Sequence, residues 1–350
     1  MDALVIIQNV LIGVFFLVVG GYIYLKIIGR LVHYNANTPV SKPDPNVNID
    51  HVSFLTIDMQ MHPKIFHPFH DQNNELRIHE LLKHVKQYDV VAINEAHSSP
   101  FHSIKSFANS MKELGFNYSC GLPNVEMASI AVADGGVIIF SKLPILQHDY
   151  TIFQLCCGQD YFVSKGSVYA RIQTTATQYI HVIATNLQSL TDNSIPESQA
   201  VRMNQIRETM RLISKNHTQD QFPVIVLGNL NIDSIKPITA GKLTRNEYER
   251  LLNSFKVDKC EFIDLLYDSQ HDHVPTYGAG DKIITDKRDI NKNLSTDYVI
   301  AFNPLEGPYY IGAHVTGVVK LEADNKKFNY ISSHFGVEST VSFANRAPEA

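Results

Sequence analysis

Val224-Ile225-Val226-Leu227-Gly228-Asn229-Leu230-Asn231 is a short β-branched run that stops in a polar loop, and the pattern recurs along the chain. A run of this length and composition reads as a buried strand. Val90-Val91-Ala92-Ile93 likewise runs into Asn94-Glu95, and Ile180 to Ala184 runs into Thr185-Asn186-Leu187-Gln188. Polar groups at the end of a hydrophobic strand lie at a sheet rim, where ligands usually bind. Val52 to Ile57, Gly136 to Phe140 and Tyr298 to Ala301 supply further strand-like runs. Glu75 to Tyr88 sets Leu81, Leu82 and Val85 on one helical face, and Gln199 to Ile213 does the same with Ile206, Met210 and Ile213. Strands and helices interleave without a repeat, which predicts one α/β domain over residues 51–338.

Outside that domain the chain changes character. Ala3 to Leu25 is apolar apart from Gln8 and Asn9, with no charge until Lys26. At about 1.5 Å per residue the run would reach about 35 Å, enough for a hydrocarbon core of roughly 30 Å. It lacks the positive n-region of a cleaved signal peptide. Residues 1–33 therefore read as a transmembrane anchor with a basic flank. Asp2 precedes the span while Lys26, Arg30 and His33 follow it, which predicts a single-pass protein with its main domain on the cytoplasmic side. Residues 34–50 carry Pro39, Pro43 and Pro45 among asparagines and read as a partly extended tether. Residues 339–350 read as a short tail.

Composition narrows the function. A length of 350 residues allows a substantial core. A net charge of -5 with 19% charged residues offers no basic stripe, and argues against general nucleic-acid binding. Cys120, Cys156, Cys157 and Cys260 form no metal-ligand spacing and fix no redox compartment.

From about His51 to Gly336, a series of motifs in the correct order resembles the endonuclease/exonuclease/phosphatase superfamily, the DNase I-like fold. Leu55-Thr56-Ile57-Asp58 resembles its first-strand Leu-Thr-x-Asn, and Asn94-Glu95 its metal-holding Glu. Gly136 to Ile145 matches its central strand, and Arg202 with Gln205 its Arg-x-x-Gln; both are scaffold features. Thr185-Asn186-Leu187-Gln188, Gly228-Asn229-Leu230-Asn231 and Ser332-Ser333-His334-Phe335-Gly336-Val337 resemble Thr-His-Leu-Gln, Gly-Asp-x-Asn and Ser-Asp-His-x-Gly-Val. Thr296-Asp297-Tyr298 resembles its Leu-Asp-Tyr. The resemblance implies a four-layered α/β sandwich, two mixed sheets packed face to face with helices outside and a cleft at one rim.

Asp160, with Lys165-Gly166 shortly after it, is similar to the neutral sphingomyelinases in particular. There the pair implies a substrate-binding role, Lys165 facing a phosphodiester and Asp160 holding or releasing it. His62, His67 and His70 fall in the loop after the first strand; their spacing fits no standard zinc site, so they read as a polar rim.

The resemblance also exposes losses. The family's Asp that activates or orients water is Asn229 here, and the His that stabilises the transition state or protonates the leaving group is Asn186. A carboxamide neither accepts nor delivers a proton near neutral pH. The Asp that assists the metal is Ser333, a weaker ligand. The implied catalytic set is His334, Asp297, Asn231, Asn229, Asn186 and Ser333, with Glu95 and Asp58 on the metal. Mg²⁺ or Mn²⁺ would be the cofactor if the domain turns over substrate, and none is needed if it does not. Three readings follow. One is a membrane-anchored, catalytically impaired domain binding a phospholipid head group or a protein partner. The others are an active Mg²⁺-dependent phosphodiesterase of the phospholipase C type with a rearranged site, and a structural membrane or virion protein.

Overall fold

The computed structural model describes residues 3–62, 73–98, 104–189, 195–217, 221–235, 244–255, 259–278, 292–325 and 327–346. Twelve strands make two six-stranded mixed sheets. The first sheet contains β1 (His51–Met61), β2 (Val90–Ala96), β3 (Tyr118–Gly121), β4 (Ile138–Ser141), β11 (Tyr309–Val319) and β12 (Gly336–Asn345), in the order β11-β12-β1-β2-β4-β3. The second contains β5 (Ile145–Ile152), β6 (Gly166–Gln173), β7 (Tyr179–Asn186), β8 (Val224–Asn229), β9 (Cys260–Asp264) and β10 (Asp297–Pro304), in the order β5-β6-β7-β8-β10-β9. Among the named strands of the described residues, β1–β2 and β7–β8 pair in parallel and the other neighbours antiparallel. This is the predicted four-layered sandwich.

Strand alternation builds the layers. Phe54, Ala92, Ile139, Val182, Leu227 and Val299 meet between the sheets. Their neighbours point outward: Leu55, Ile57 and Ile93 pack with Leu81 and Phe107, from α2 (Asn74–His84) and α3 (Ile104–Glu113). On the second sheet Ile183, Val226 and Ile300 pack with Ile206, Leu251 and Phe255, around α4 (Ile195–His217) and α5 (Thr244–Ser254). Every strand read from sequence falls in an observed strand, although β4 begins at Ile138 because Gly136 turns with φ 62°. The short α6 (Leu265–Gln270) packs against the inter-sheet core through Leu265 and Leu266.

Two terminal readings need correction. Residues 339–345 are not a tail: they complete β12, which pairs with both β1 and β11. Its exposed polar residues alternate with buried ones, as expected where one face meets solvent. The Pro/Asn-rich segment is extended but does not hang free. Thr38 N donates to Ser119 O (2.9 Å), Ser41 N to Ile145 O (2.8 Å) and Ile49 N to Thr174 O (2.8 Å), so it straps the edge strands β3 and β5. Ahead of it runs α1 (Ala3–Val32), the one helix among the described residues long and apolar enough to cross a membrane.

Candidate active site

Topology gathers the polar strand ends. The parallel pairs β1–β2 and β7–β8 finish at the same rim, bringing Asp58, Glu95, Asn186 and Asn229 together. The antiparallel β10 starts there, with Asp297 opposite Asn229. Gly228 permits the close approach: with φ 134°, any Cβ there would stand 2.0 Å from the Thr185 carbonyl oxygen.

The side chains form one buried network. Asn186 Nδ2 donates to Glu95 Oε1 (3.1 Å), and Asn229 Nδ2 donates to Asp58 Oδ2 (2.9 Å). Asn231 Nδ2 donates to Asn186 Oδ1 (3.2 Å) and Leu187 O (3.0 Å), while its backbone N–H reaches Asn229 Oδ1 (2.9 Å). His334 Nδ1 lies 2.8 Å from Asp297 Oδ2, which also accepts from Thr276 Oγ1 at 2.8 Å. Ser333 is fully buried beside His334, and Ser332 Oγ donates to Asp58 O (2.6 Å). Glu95 and Asn231 hold left-handed backbone angles of 54° and 53°, conformations that persist only when the surroundings impose them.

Lys165 is buried. Its Nζ donates to Leu187 O (3.1 Å) and lies 3.5 Å from Asp160 Oδ2, which accepts from Ser189 N (2.8 Å) and Ser189 Oγ (3.0 Å). The scaffold pair supports the same loop: Arg202 Nη1 donates to Gln188 O and Gln205 Oε1 accepts from Gln188 N.

Charge is unevenly shared. Burial, then the negative Glu95 nearby, pushes the Asp58 carboxyl up. Burial opposes the charge of Glu95 too, but His62, Lys165 and His97 outweigh it and hold its carboxyl down. Burial also works against protonated His334, yet Asp297 and Asp58 push it up to about 9. Lys165 is held above its ordinary value by Asp160, Glu95 and Asp58, against the effect of burial.

A divalent ion fits this donor set. Mg²⁺ takes hard oxygens and keeps several waters, so one or two carboxylates suffice. Asp58 and Glu95 supply them, and Glu95 Oε2 is buried with no hydrogen bond, though His62 Nδ1 stands 3.2 Å away. Among the described residues no group of three or more His, Cys, Asp or Glu side chains is placed to hold a metal.

Several site residues were missed in the sequence. Arg77 lies buried on α2, donating to Met59 O and Ile331 O and placing positive charge near Asp58 and Glu95. An arginine on the apolar face of a helix was the available signal. Tyr277 sets its ring edge-on to His334 with centroids 4.7 Å apart, and no pattern in the sequence marks it. His62, read as rim, stands against Glu95; His67 and His70 lie outside the described residues.

Two carboxylates, two carboxamides, a buried lysine and a carboxylate-oriented histidine thus stand along the rim where the two sheets meet. The chain belongs to the endonuclease/exonuclease/phosphatase family, whose profile matches residues 46–307. It is 26% identical over 306 residues to sphingomyelinase C of Bacillus cereus, covering 81% of this chain and 84% of that one. It is also 26% identical over 253 residues to a phospholipase C of Staphylococcus aureus, covering 69% and 70%. Among solved structures, Staphylococcus aureus beta toxin superposes with a TM-score of 0.62 at 20% identity, over 82% of this chain and 99% of that one. A further beta toxin structure, with a TM-score of 0.61, contains bound magnesium ions.

Proposed function

We propose that this is a membrane-anchored, sphingomyelinase-like domain that takes a phospholipid head group into its cleft and turns it over weakly or not at all. The observation that carries this reading is the pair of carboxamides. Asn186 and Asn229 direct their amide hydrogens at Glu95 and Asp58, so the second sheet offers neither acid nor base where the family uses His and Asp. Losing one such group typically costs about 10² to 10⁴ in rate, and losses within one unit are not additive. His334, oriented by Asp297, is left to move protons. In the metal-free chain Asp297 and Asp58 raise its proton affinity against the effect of burial, which favours a charge or an acid over a base.

Asp58 and Glu95 would hold Mg²⁺ or Mn²⁺, which would supply charge neutralisation at a bound phosphodiester. Lys165, fixed by Asp160, would face the same phosphate. The anchor reading is supported by the apolar length of α1 and by the docking of its last turns on the domain through Lys26 and Arg30. Such docking is what an anchor kept with its domain is expected to make. The positive flank supports a cytoplasmic domain.

A second reading has its own observation. Position 58 carries a carboxylate where the family has an amide, and position 229 an amide where it has a carboxylate. The two side chains are hydrogen-bonded to each other at 2.9 Å. The pair has therefore exchanged members across the cleft, keeping its net charge, which favours an active enzyme with a rearranged site.

Phosphocholine release from sphingomyelin and lysophosphatidylcholine micelles, with Mg²⁺ or Mn²⁺, separates the two. The lead reading expects a silent native chain, and activity in a variant combining Asn186→His, Ser333→Asp and the exchange Asp58→Asn with Asn229→Asp. Robust native hydrolysis abolished by His334→Ala would sink it in favour of the second.

A further inference from the structure

The junction between α1 and the domain is tightly built. Lys26 is buried, and its Nζ donates to Ser129 O, Ser129 Oγ (3.2 Å) and Ala131 O (2.9 Å). Tyr22 Oη donates to Ser129 O (3.3 Å) and Ile130 O (3.2 Å), and Arg30 donates to Val125 O. Asn124 Nδ2 returns a bond to Arg30 O (3.0 Å). Gly29 lets the loop approach, since a Cβ there would stand 2.1 Å from Val132 O. The loop is thereby held along the last turns of the helix.

Height along the helix then fixes where the loop sits. A hydrocarbon core of roughly 30 Å takes about 20 helical residues. An apolar run that starts at Ala3 leaves the core near Tyr22, and a tyrosine followed by lysine is what the interfacial layer accommodates. Ser129 and Ile130 are bonded at the level of Tyr22, so with α1 as the span the tip of this loop meets that layer.

The exposed surface there is apolar. Five of the nine large hydrophobic side chains exposed beyond residue 50, among the described residues, are Met127, Ile130, Leu155, Tyr161 and Phe162, each 40% to 60% exposed. The two loops carrying them are joined, with Val132 N and Ala133 N both donating to Phe162 O (2.9 and 3.1 Å). Glu126 is the only charged residue from 122 to 133. The second loop also carries Asp160 on its inner side, against Ser189 and Lys165. One face of this segment is apolar and exposed; the other fixes the lysine of the cleft.

We propose that residues 125–131 and 155–162 form a lipid-docking surface, seated in the head-group layer of the same membrane that α1 spans, so that the cleft takes its phosphodiester in cis from the anchoring leaflet. The inference rests on the reading of α1 as a membrane span and is independent of turnover. Burying apolar area of this kind in the interface adds to binding at roughly 25 cal/mol per Å². Two hydrogen-bonded loops beside the helix carry these side chains, which sets them apart from single exposed residues scattered over a surface.

The chain contains no tryptophan, so a single introduced one reports its own depth. Full-length protein carrying Ile130→Trp, Tyr161→Trp or Val315→Trp is reconstituted in phosphatidylcholine vesicles containing lipids brominated or nitroxide-labelled near the head group. Val315 is the control, exposed on β11 at the far edge of the first sheet. Blue-shifted, strongly quenched emission is expected from the first two and water-like emission from the third. Gly29→Val, added to Ile130→Trp, is expected to weaken the quenching by prising the loop from the helix. Equal emission at all three positions in vesicle-bound protein would overturn the docking surface alone, and would leave a protein partner as the occupant of the patch. Release of the chain from vesicles by alkaline carbonate would overturn the span and the docking together.

Discussion

The two parallel strand pairs end side by side at one rim, yet they bring opposite chemistry. β1 and β2 contribute two carboxylates, Asp58 and Glu95, while β7 and β8 contribute two carboxamides, Asn186 and Asn229. Each amide donates to a carboxylate from the other sheet. On the proposed reading, the side suited to a cation is kept, and the side that would move protons carries hydrogen-bond donors instead. Holding a charged ligand and transforming it are separable demands. The first needs oxygens and a fixed lysine; the second needs groups whose proton affinity lies near the working pH.

The largest effect expected of this contrast follows from placing charge on the neutral side alone. Asn229→Asp sets a second carboxylate against Asp58, where a 2.9 Å hydrogen bond now joins them. An uncompensated buried charge costs about 3–5 kcal/mol. Thermal unfolding in EDTA should show that loss, and Asp58→Asn in the same chain should restore most of it. If the single substitution is neutral, the two side chains are not coupled and the exchange argument collapses.

A smaller loss is expected from Asn186→Ala, which leaves Glu95 Oε1 without this donor and Asn231 Nδ2 with Leu187 O in place of two acceptors. Buried groups left unsatisfied cost about 1–3 kcal/mol. The same variant should narrow the stabilisation that saturating Mn²⁺ gives, since Glu95 loses its orientation. Unchanged Mn²⁺ stabilisation in Asn186→Ala, alongside its loss in Glu95→Gln, would assign the amide to packing only.

The most gradual effect concerns pH. His334 binds its proton more tightly folded than unfolded, at about 9 against 6.5. Its stabilising contribution is therefore complete below pH 6.5 and is lost as pH rises through 9. Without metal, stability should fall by about 1 kcal/mol per pH unit across that window, and His334→Gln should flatten the slope. A bound divalent ion lowers the proton affinity of a neighbouring imidazole, so Mn²⁺ should flatten it as well. A slope that ignores both the substitution and the ion would mean that another group titrates there.

Much of this site was legible in the sequence because it is built on strand ends. A hydrophobic run fixes where a strand lies, and the residue after it must then sit at the rim, as Glu95, Asn186 and Asn229 do. Asp297 and His334 were legible as motif residues, and their 2.8 Å contact is what the motif implies. Arg77, His97 and Tyr277 were not, because each enters from a helix or loop whose direction depends on packing. Residues 339–345 of β12 read as a tail because in Glu338-Ser339-Thr340-Val341-Ser342 only Val341 is apolar, although Ser339 and Val341 are buried while Thr340 and Ser342 face solvent. The extended strap was legible as extended, but its bonds to β3 and β5 depend on where the sheet edges fall.

By itself, then, the sequence determined an α/β domain of interleaved strands and helices, its resemblance to a sandwich family, an apolar helix ahead of it, and which residues stand at the strand ends. Periodicity and local pattern are properties of neighbours along the chain, and they survive reading in one dimension. Only the tertiary structure decided that Asn229 faces Asp58, that Asn186 faces Glu95, and that Lys26 is capped by the loop leading toward Phe162. Those pairings join residues about 90 to 170 positions apart. They are set by how two twisted sheets and one helix pack, which hydrophobic pattern constrains only in bulk.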